Sequence, residues 1–340
     1  MARTCRNCSA PRHFGNTPIG PSGRSPPARL ALLPDAGHAV ATVTYSIVAL
    51  DPATGELGVA VQTRWLGVGA LVPWLRPGVG AIATQSFVDT RYGFSGIELL
   101  AAGRTPQDAL AELLAADSDP GVRQVGMVDA AGRSAAHTGA DCVVAAGHLT
   151  GHGVTVQANM MERPTVWPAM LAAFEGTSGD LADRLVAALR AAEAEGGDVR
   201  GRQSAALVVV PGRADAHPWD IRYDIRIDDA RAPLDELDRL LALNRGYEAL
   251  DGAFEALAVG ETAAALAFFE RAAALAPDDD QIRLWQSLAV FDSGDEERGR
   301  RLYRSALAIE PRSGEHLRRF LAAGQLPGRE KLVARLTDEG

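Results

Sequence analysis

Few residues in this chain have types and spacings that could do chemistry, and most of them fail on inspection. Cys5 and Cys8 form one Cys-x-x-Cys pair with no second pair to complete a zinc site. His148 and His152 stand four apart, but Gly147, Gly151 and Gly153 around them imply loop or strand, where the helical metal-ligand spacing fails. Cys142, in "DCVVAAG", reads as a small buried apolar residue rather than a nucleophile. There is no Gly-x-Ser-x-Gly elbow, and the glycine-rich "GVGALVPWLRPGVG" lacks the lysine and following helix of a phosphate site. No metal and no cofactor is expected.

Thr44 is a different kind of candidate. A threonine hydroxyl is a poor nucleophile without a base beside it. If the threonine is the first residue of its chain, its own α-amine, with an ordinary pKa of about 7.7–8.0, can take the proton. Such a residue has to open a strand, so that the sheet holds it facing a cleft. Thr44 opens "TYSIVAL", which meets that demand. An ordinary strand threonine before a valine-rich run fits equally well, and residue type and spacing leave both readings open.

The elements that would position Thr44 follow from hydrophobic periodicity. "TYSIVAL" and "ELGVAVQTR" predict two strands joined by a turn at Asp51-Pro52 and Thr54-Gly55. "GVGAIATQS" predicts a third strand. "GFSGIELLAAGRTPQDALAELLAAD" predicts two helices, the first closed by Gly103, the second capped by Thr105 with Pro106 at its first position. "RQVGMVDAAGRSAAHTG" and "HGVTVQANMM" return to strand, "PTVWPAMLAAFEGTSGDLADRLVAALRAAEAEGG" gives two more helices, and "RQSAALVVV" a last strand. The central strands are apolar on both faces and should be covered on both sides. Strand runs flanking helix runs imply an α+β class rather than a doubly wound parallel sheet.

Residues 212–245 read as a connector, with an edge strand in "WDIRYDIRIDD" and an amphipathic helix in "PLDELDRLLALNR". Beyond it the sequence repeats. "GETAAALAFFERAAALAPDD" and "GDEERGRRLYRSALAIEPRS" align at a spacing of 34, with Gly260 and Gly294, Ala272 and Ala306, and Pro277 and Pro311 in register. A helix-turn-helix period of that length resembles the tetratricopeptide repeat. Residues 246–279 and 280–313 form the two repeats, and "GEHLRRFLAAG" a capping helix, so the region spans 246–325. Two repeats are few for a free-standing solenoid. They are expected to pack on the first domain, a second copy or a protein partner.

Composition removes several functions. With 34 basic and 43 acidic residues the net charge is −9, which argues against nucleic acid. No run of about 18 apolar residues exists to span a membrane. Three cysteines make no disulfide framework and fit a reducing, cytoplasmic setting. Residues 1–43 lack periodicity and carry Pro18, Pro21, Pro26, Pro27 and Pro34, so disorder is expected there. The patch in "ARLALLPDAGHAVA" is broken by Pro34, Asp35 and His38 and lies far from Met1, so it does not make a signal peptide.

The stretches "TYSIVALDPATGELGVAVQTRWLGVGALVPWLRPGVGAIATQS", "YGFSGIELLAAGRTPQDALAELLAAD", "RQVGMVDAAGRSAAHTG" and "GDVRGRQSAALVVV" resemble domain-of-unknown-function family 1028, placed with the N-terminal-nucleophile hydrolases. The resemblance implies a four-layer α-β-β-α sandwich over 44–211 with facing antiparallel sheets, and a bacterial amide-bond hydrolase with Thr44 as nucleophile. In that family the chain usually opens Met-Thr-aromatic-Ser-aliphatic, and here Val43 stands in the place of the methionine. A valine codon that starts bacterial translation would leave 1–43 untranslated and Thr44 terminal; self-cleavage after Val43 is the second route to the same end. Similarity to asparaginase-type amidases implies that Thr63 is the second threonine near the amine. It also places Thr84-Gln85 at the oxyanion position, with glutamine where those enzymes have glycine. The substrate-gripping Arg…Asp pair of those enzymes is missing from "LGVGALVPW", so an asparagine-like substrate is not implied. Arg64, Gln85, Asn159, Asp198 and Arg202, with Arg76, remain to shape a pocket for a small-molecule or peptide amide, Asp198 serving equally as a turn-fixing residue. In some relatives a tail named for peptidoglycan binding matches "DIRIDDARAPLDELDRLLAL", which implies a cell-wall amide. The alternative is a non-catalytic module whose repeats are a docking platform.

Overall fold

The computed structural model describes residues 41–337, apart from 43, 214 and 218. The Cys5–Cys8 pair and most of the stretch expected to be disordered lie outside the described residues. The end of that stretch, Ala41–Thr42, forms a short strand, β1. Next come β2 (Thr44–Leu50) and β3 (Leu57–Thr63), an antiparallel hairpin running from Thr44 opposite Thr63 to Leu50 opposite Leu57. Asp51 makes the turn: its carboxylate accepts the Ala53 N–H at 3.0 Å and the Thr54 hydroxyl at 3.2 Å, and Gly55 takes a φ of 74°.

β4 (Pro73–Arg76) pairs with β5 (Gly80–Phe87). Helices α1 (Arg91–Ala101) and α2 (Pro106–Ala116) follow. Thr105 caps α2 by accepting the Asp108 N–H at 3.1 Å. The chain then runs through β6 (Arg123–Asp129), β7 (Ser134–Thr138), β8 (Gly147–Gly151), β9 (Val154–Ala158), α3 (Val166–Gly176), α4 (Leu181–Ala194), β10 (Ser204–Val210) and β11 (Tyr223–Ile227).

Two sheets result. One has the order β1-β5-β6-β7, with β4 also on β5; the other has the order β11-β10-β3-β2-β9-β8. Every pairing is antiparallel. Val48, Val59, Val61, Ala81, Ala83 and Val128 form a core between the sheets. Ile82, Val125 and Met127 face the other way and pack with Leu100 and Leu110 of α1 and α2. Tyr45, Ile47, Val156 and Leu207 pack with Met170, Leu185 and Leu189 of α3 and α4. Helices therefore lie on the outer face of each sheet, which is why the central strands are apolar on both sides.

The rest is helical: α5 (Pro233–Ala258), α6 (Thr262–Leu275), α7 (Asp280–Asp292), α8 (Glu296–Ile309), α9 (Ser313–Ala322) and α10 (Glu330–Thr337). The helix expected in "PLDELDRLLALNR" does not stop at 245 but continues through Gly246. Leu234, Leu237 and Leu241 of α5 join the core beneath α4, while Ala249, Leu250 and Ala253 pack with Phe269 and Ala272 of α6. Ion pairs fix this shared helix: Arg245 holds Asp180 at 2.7 Å and Asp183 at 2.8 Å, and Arg222 reaches Glu56 at 2.9 Å. No helix among the described residues is long and apolar enough to cross a membrane.

Ala265 is fully buried between helices, as are Ala253 and Ala272. Replacing Ala265 with Phe should overpack the contact and destabilise the protein by about 1–3 kcal/mol. A thermal or denaturant midpoint unchanged in that variant would contradict close packing at this position.

Candidate functional site

Alternation along the strands decides what faces what. On β2, Tyr45, Ile47 and Ala49 point to α3 and α4, so Thr44 and Ser46 point between the sheets with Val48 and Leu50. Thr44 is fully buried at the open end of the hairpin, and its hydroxyl oxygen has no hydrogen-bond partner among the described residues. Its carbonyl is held from two sides: by the Gln85 side-chain amide at 3.1 Å, and by the Asn159 backbone N–H at 3.1 Å and side-chain amide at 3.4 Å.

These contacts belong to a polar layer that replaces the apolar inter-sheet core at this end. The Gln85 amide also donates to Gln124 Oε1 at 2.7 Å, and the Ser46 hydroxyl donates to Gln85 Oε1 at 2.6 Å. Gln157 donates to the Ser46 hydroxyl at 2.7 Å, and Asn159 donates to Gln124 Oε1 at 2.8 Å. Gln85, Gln124, Gln157, Asn159, Ser46 and Thr155 are all fully buried. Gly126 faces this layer, and a side chain there would collide with Gln157 and Thr155. Buried polar atoms are nearly always paired. Here Thr44 Oγ1, Thr155 Oγ1, Gln157 Oε1 and Asn159 Oδ1 have no partner among the described residues.

The layer ends at His148. Gln124 donates to the Thr138 hydroxyl at 2.9 Å, and that hydroxyl bonds His148 Nδ1 at 2.8 Å. Burial, reinforced by the charge of nearby His137, pushes the His148 pKa down from its ordinary value.

The other sequence candidates divide. Thr63 lies directly opposite Thr44, with Ser204 on its other side. Gln85 and Asn159 touch Thr44. Thr84 does not join them: strand parity sends its side chain to the helix face with Ile82. Its hydroxyl is spent on the Asp89 carbonyl at 3.3 Å and its N–H on the Val72 carbonyl at 3.2 Å, so it has no donor for an oxyanion. Asp198 fixes loops: its carboxylate accepts the Arg64 N–H at 3.0 Å and pairs with Arg200 at 2.8 Å. Arg64 is exposed and bonds Gln203, and Arg202 pairs with Glu193 at 3.2 Å. Arg76 pairs with Glu98 at 3.5 Å. Burial pushes the half-buried Cys142 thiol up, away from the thiolate that a nucleophile needs. Among the described residues no group of three or more metal-ligating side chains gathers.

The sequence reading missed Ser46, Gln124, Gln157 and the Tyr45–Glu193 contact at 2.8 Å behind them. It also missed the rim. Trp65, Leu66, Val143, Val144 and Val199 are exposed on loops at this end. Backbone bonds tie those loops together, from Met160 N–H to the Val143 carbonyl at 3.0 Å and from Val199 N–H to the Met160 carbonyl at 3.3 Å.

A family of unknown function (DUF1028) matches residues 44–237, more than half of the chain. The chain belongs to this family. The DUF1028 match opens at Thr44 itself and ends inside α5, at the helix that leads into the helical region. Among solved structures, the chain is similar to the crystal structure of protein SPO2555 from Silicibacter pomeroyi, assigned to DUF1028. The two are 33% identical with a TM-score of 0.54, over 58% of this chain and 84% of that one. No curated protein matches.

Two outcomes test this layer. Gln124→Leu should remove the acceptor of Gln85 and Asn159 and destabilise the fold by about 1–3 kcal/mol in denaturant melts. A value near zero would mean that the layer carries no stability. Because His148 titrates lower when folded, the unfolded chain binds its proton first as pH falls. Stability should therefore drop below the ordinary histidine value of about 6.5. His148→Gln should flatten that acid-side slope, and an unchanged slope would contradict the assignment.

Proposed function

We propose that this chain is an amide-bond hydrolase of the N-terminal-nucleophile type, with Thr44 as the nucleophile once its α-amine is free. The observation that carries this reading is the Thr44 hydroxyl, buried and unpartnered at the first residue of a central strand. Two facing antiparallel sheets, each with helices on its outer face, suit the four-layer sandwich of that hydrolase class. The family match that opens at Thr44 fits the same starting point.

In this reading the Thr44 amine takes the hydroxyl proton and Oγ attacks the carbonyl carbon of the substrate amide. In this reading Thr63, opposite Thr44, and the free acceptor Asn159 Oδ1, beside it, steady the amine as it takes the proton. The C–N bond breaks as the leaving nitrogen takes the proton, leaving an ester on Thr44. Water then attacks that ester, releasing the acid and restoring the hydroxyl. With residue 43 attached, the base is an amide nitrogen and cannot accept a proton. Initiation at Val43 is the simpler of the two routes to the active form.

The second reading, a docking platform on tetratricopeptide-like repeats, draws on the helical region. A cleft of about 540 Å³ lined by Phe254, Leu257, Trp285, Leu288 and Leu332 opens there. Gly260 and Gly294, one repeat apart, both turn with positive φ, at 81° and 104°.

A chain beginning at Thr44 should hydrolyse a member of an amide library. The form retaining residue 43 and the Thr44→Ala variant should both be slower by at least about 10³-fold. Intact mass of the natively expressed protein should show Thr44 as the first residue. Equal activity of Thr44 and Thr44→Ala chains would overturn the nucleophile, and a native mass that retains 1–43 would overturn the start.

A further inference from the structure

The edge of β5 beside Thr44 is shaped to receive a strand. One edge of β5 is paired with β6 from Gly80 to Ser86. The other is covered by β4 only as far as Ala83, opposite Pro73. Proline has no N–H to extend a ladder, and after one more bond, from Thr84 N–H to the Val72 carbonyl, that partner leaves the edge. The edge at Ser86 and Phe87 is filled instead by β1, with Thr42 opposite Ser86 and Ala41 opposite Phe87. One residue separates β1 from Thr44.

The floor of this slot is fixed independently of β1. Arg123 donates to the Phe87 carbonyl at 2.7 Å and is itself held by the buried Asp117 at 2.7 Å. Ser86 adopts a left-handed backbone, with φ 69°, a conformation that persists only where the surroundings enforce it. The acyl group bonded to the Thr44 nitrogen is that of residue 43. The two residues before it, Ala41 and Thr42, lie in the slot.

We propose that the β5 edge at Ser86–Phe87 is the acyl-side subsite of the hydrolase described above. An extended peptide adds to β5 as an antiparallel strand and presents the carbonyl of its third residue to Thr44. The substrate class is therefore a peptide with at least three residues on the acyl side, rather than the amide of a free amino acid. Recognition rests on main-chain hydrogen bonds, as in other strand-addition sites. In the chain that carries residues 41–43, its own strand fills the subsite; a chain that begins at Thr44 has both the base and an empty slot. This inference rests on the nucleophile reading for its chemistry, but not for the binding.

The test uses a chain that begins at position 44 and carries Thr44→Ala, with acetyl-Ala-Thr-Val-amide as probe. Hydrogen exchange of residues 85–88 should be faster than in the 340-residue chain. The peptide should slow it by at least about tenfold, and the same peptide N-methylated at its Ala and Thr should not. In parallel, the Thr44 form should cleave acetyl-Ala-Thr-Val-anilide with a kcat/KM at least about tenfold above that of acetyl-Val-anilide. Absence of peptide-dependent protection overturns the slot, whatever the activity. Protection without cleavage of any amide upholds the slot and overturns the nucleophile. Equal cleavage of the long and short anilides overturns its role as a subsite.

Discussion

The space between the two sheets changes character along its length, and the rest of the structure depends on that change. Near the β2–β3 turn it is closed by Leu50, Leu57, Val59, Val61 and Val210, a dry contact with no directional demand. At the other end the same inner faces carry Ser46, Gln85, Gln124, Gln157 and Asn159. Buried amides are costly unless bonded, and their bonds are directional. Gln85 alone bridges β2, β6 and β9, donating to Thr44, Gln124 and the Gln157 carbonyl. A one-residue slip of any of these strands would turn its polar groups toward the helices and leave their partners unpaired. The polar layer thus fixes the relative register of the sheets, which apolar contacts alone would specify loosely.

The helical region is fastened at the opposite end. Arg222 and Arg245 reach Glu56, Asp180 and Asp183, beside the β2–β3 turn. A seven-residue strand separates that turn from Thr44, about 20 Å at the usual strand rise. Anything held by the helices binds at that remove from the polar layer. A docking role for the helical region and a chemical role for Thr44 rest on different residues and are compatible. What joins them is α5, a single helix that belongs to two cores.

Most elements were legible because their signals are local. Thr105 with Pro106, Asp51 with Gly55, and the alternation of β11 each announce themselves within a few residues. β4 and β8 were not legible. Proline flanks the first on both sides, glycine bounds the second, and both are short strands fixed by their neighbours. The boundary drawn at 245 does not interrupt the helix, because Gly246 packs against Ala276 and Ile282 and so is tolerated. At the site, the resemblance pointed to Thr84 and Gln85 together, and strand parity separates them. Ala81, Ala83 and Gln85 share the inner face, so the alternation in "AIATQS" already favoured Gln85. Gln124 and Gln157 gave no such warning. A lone glutamine in an apolar strand looks like a tolerated exception until the sheet opposite supplies its partner.

Strain points to the same place as the unpaired atoms. Among the described residues two non-glycine positions have positive φ: Ser86, at 69°, and Met160, at 56°. Ser86 lies next to Gln85 and opposite Thr42; Met160 follows Asn159, whose N–H grips the Thr44 carbonyl. Each such residue costs about 1–3 kcal/mol and survives only where surrounding contacts over-determine it. A protein selected for stability alone could close this end with the valines and alanines that close the other. Instead it keeps two strained residues, a set of buried amides and an unsatisfied hydroxyl around one threonine. Local rules broken together at one point suit the role proposed above for this threonine.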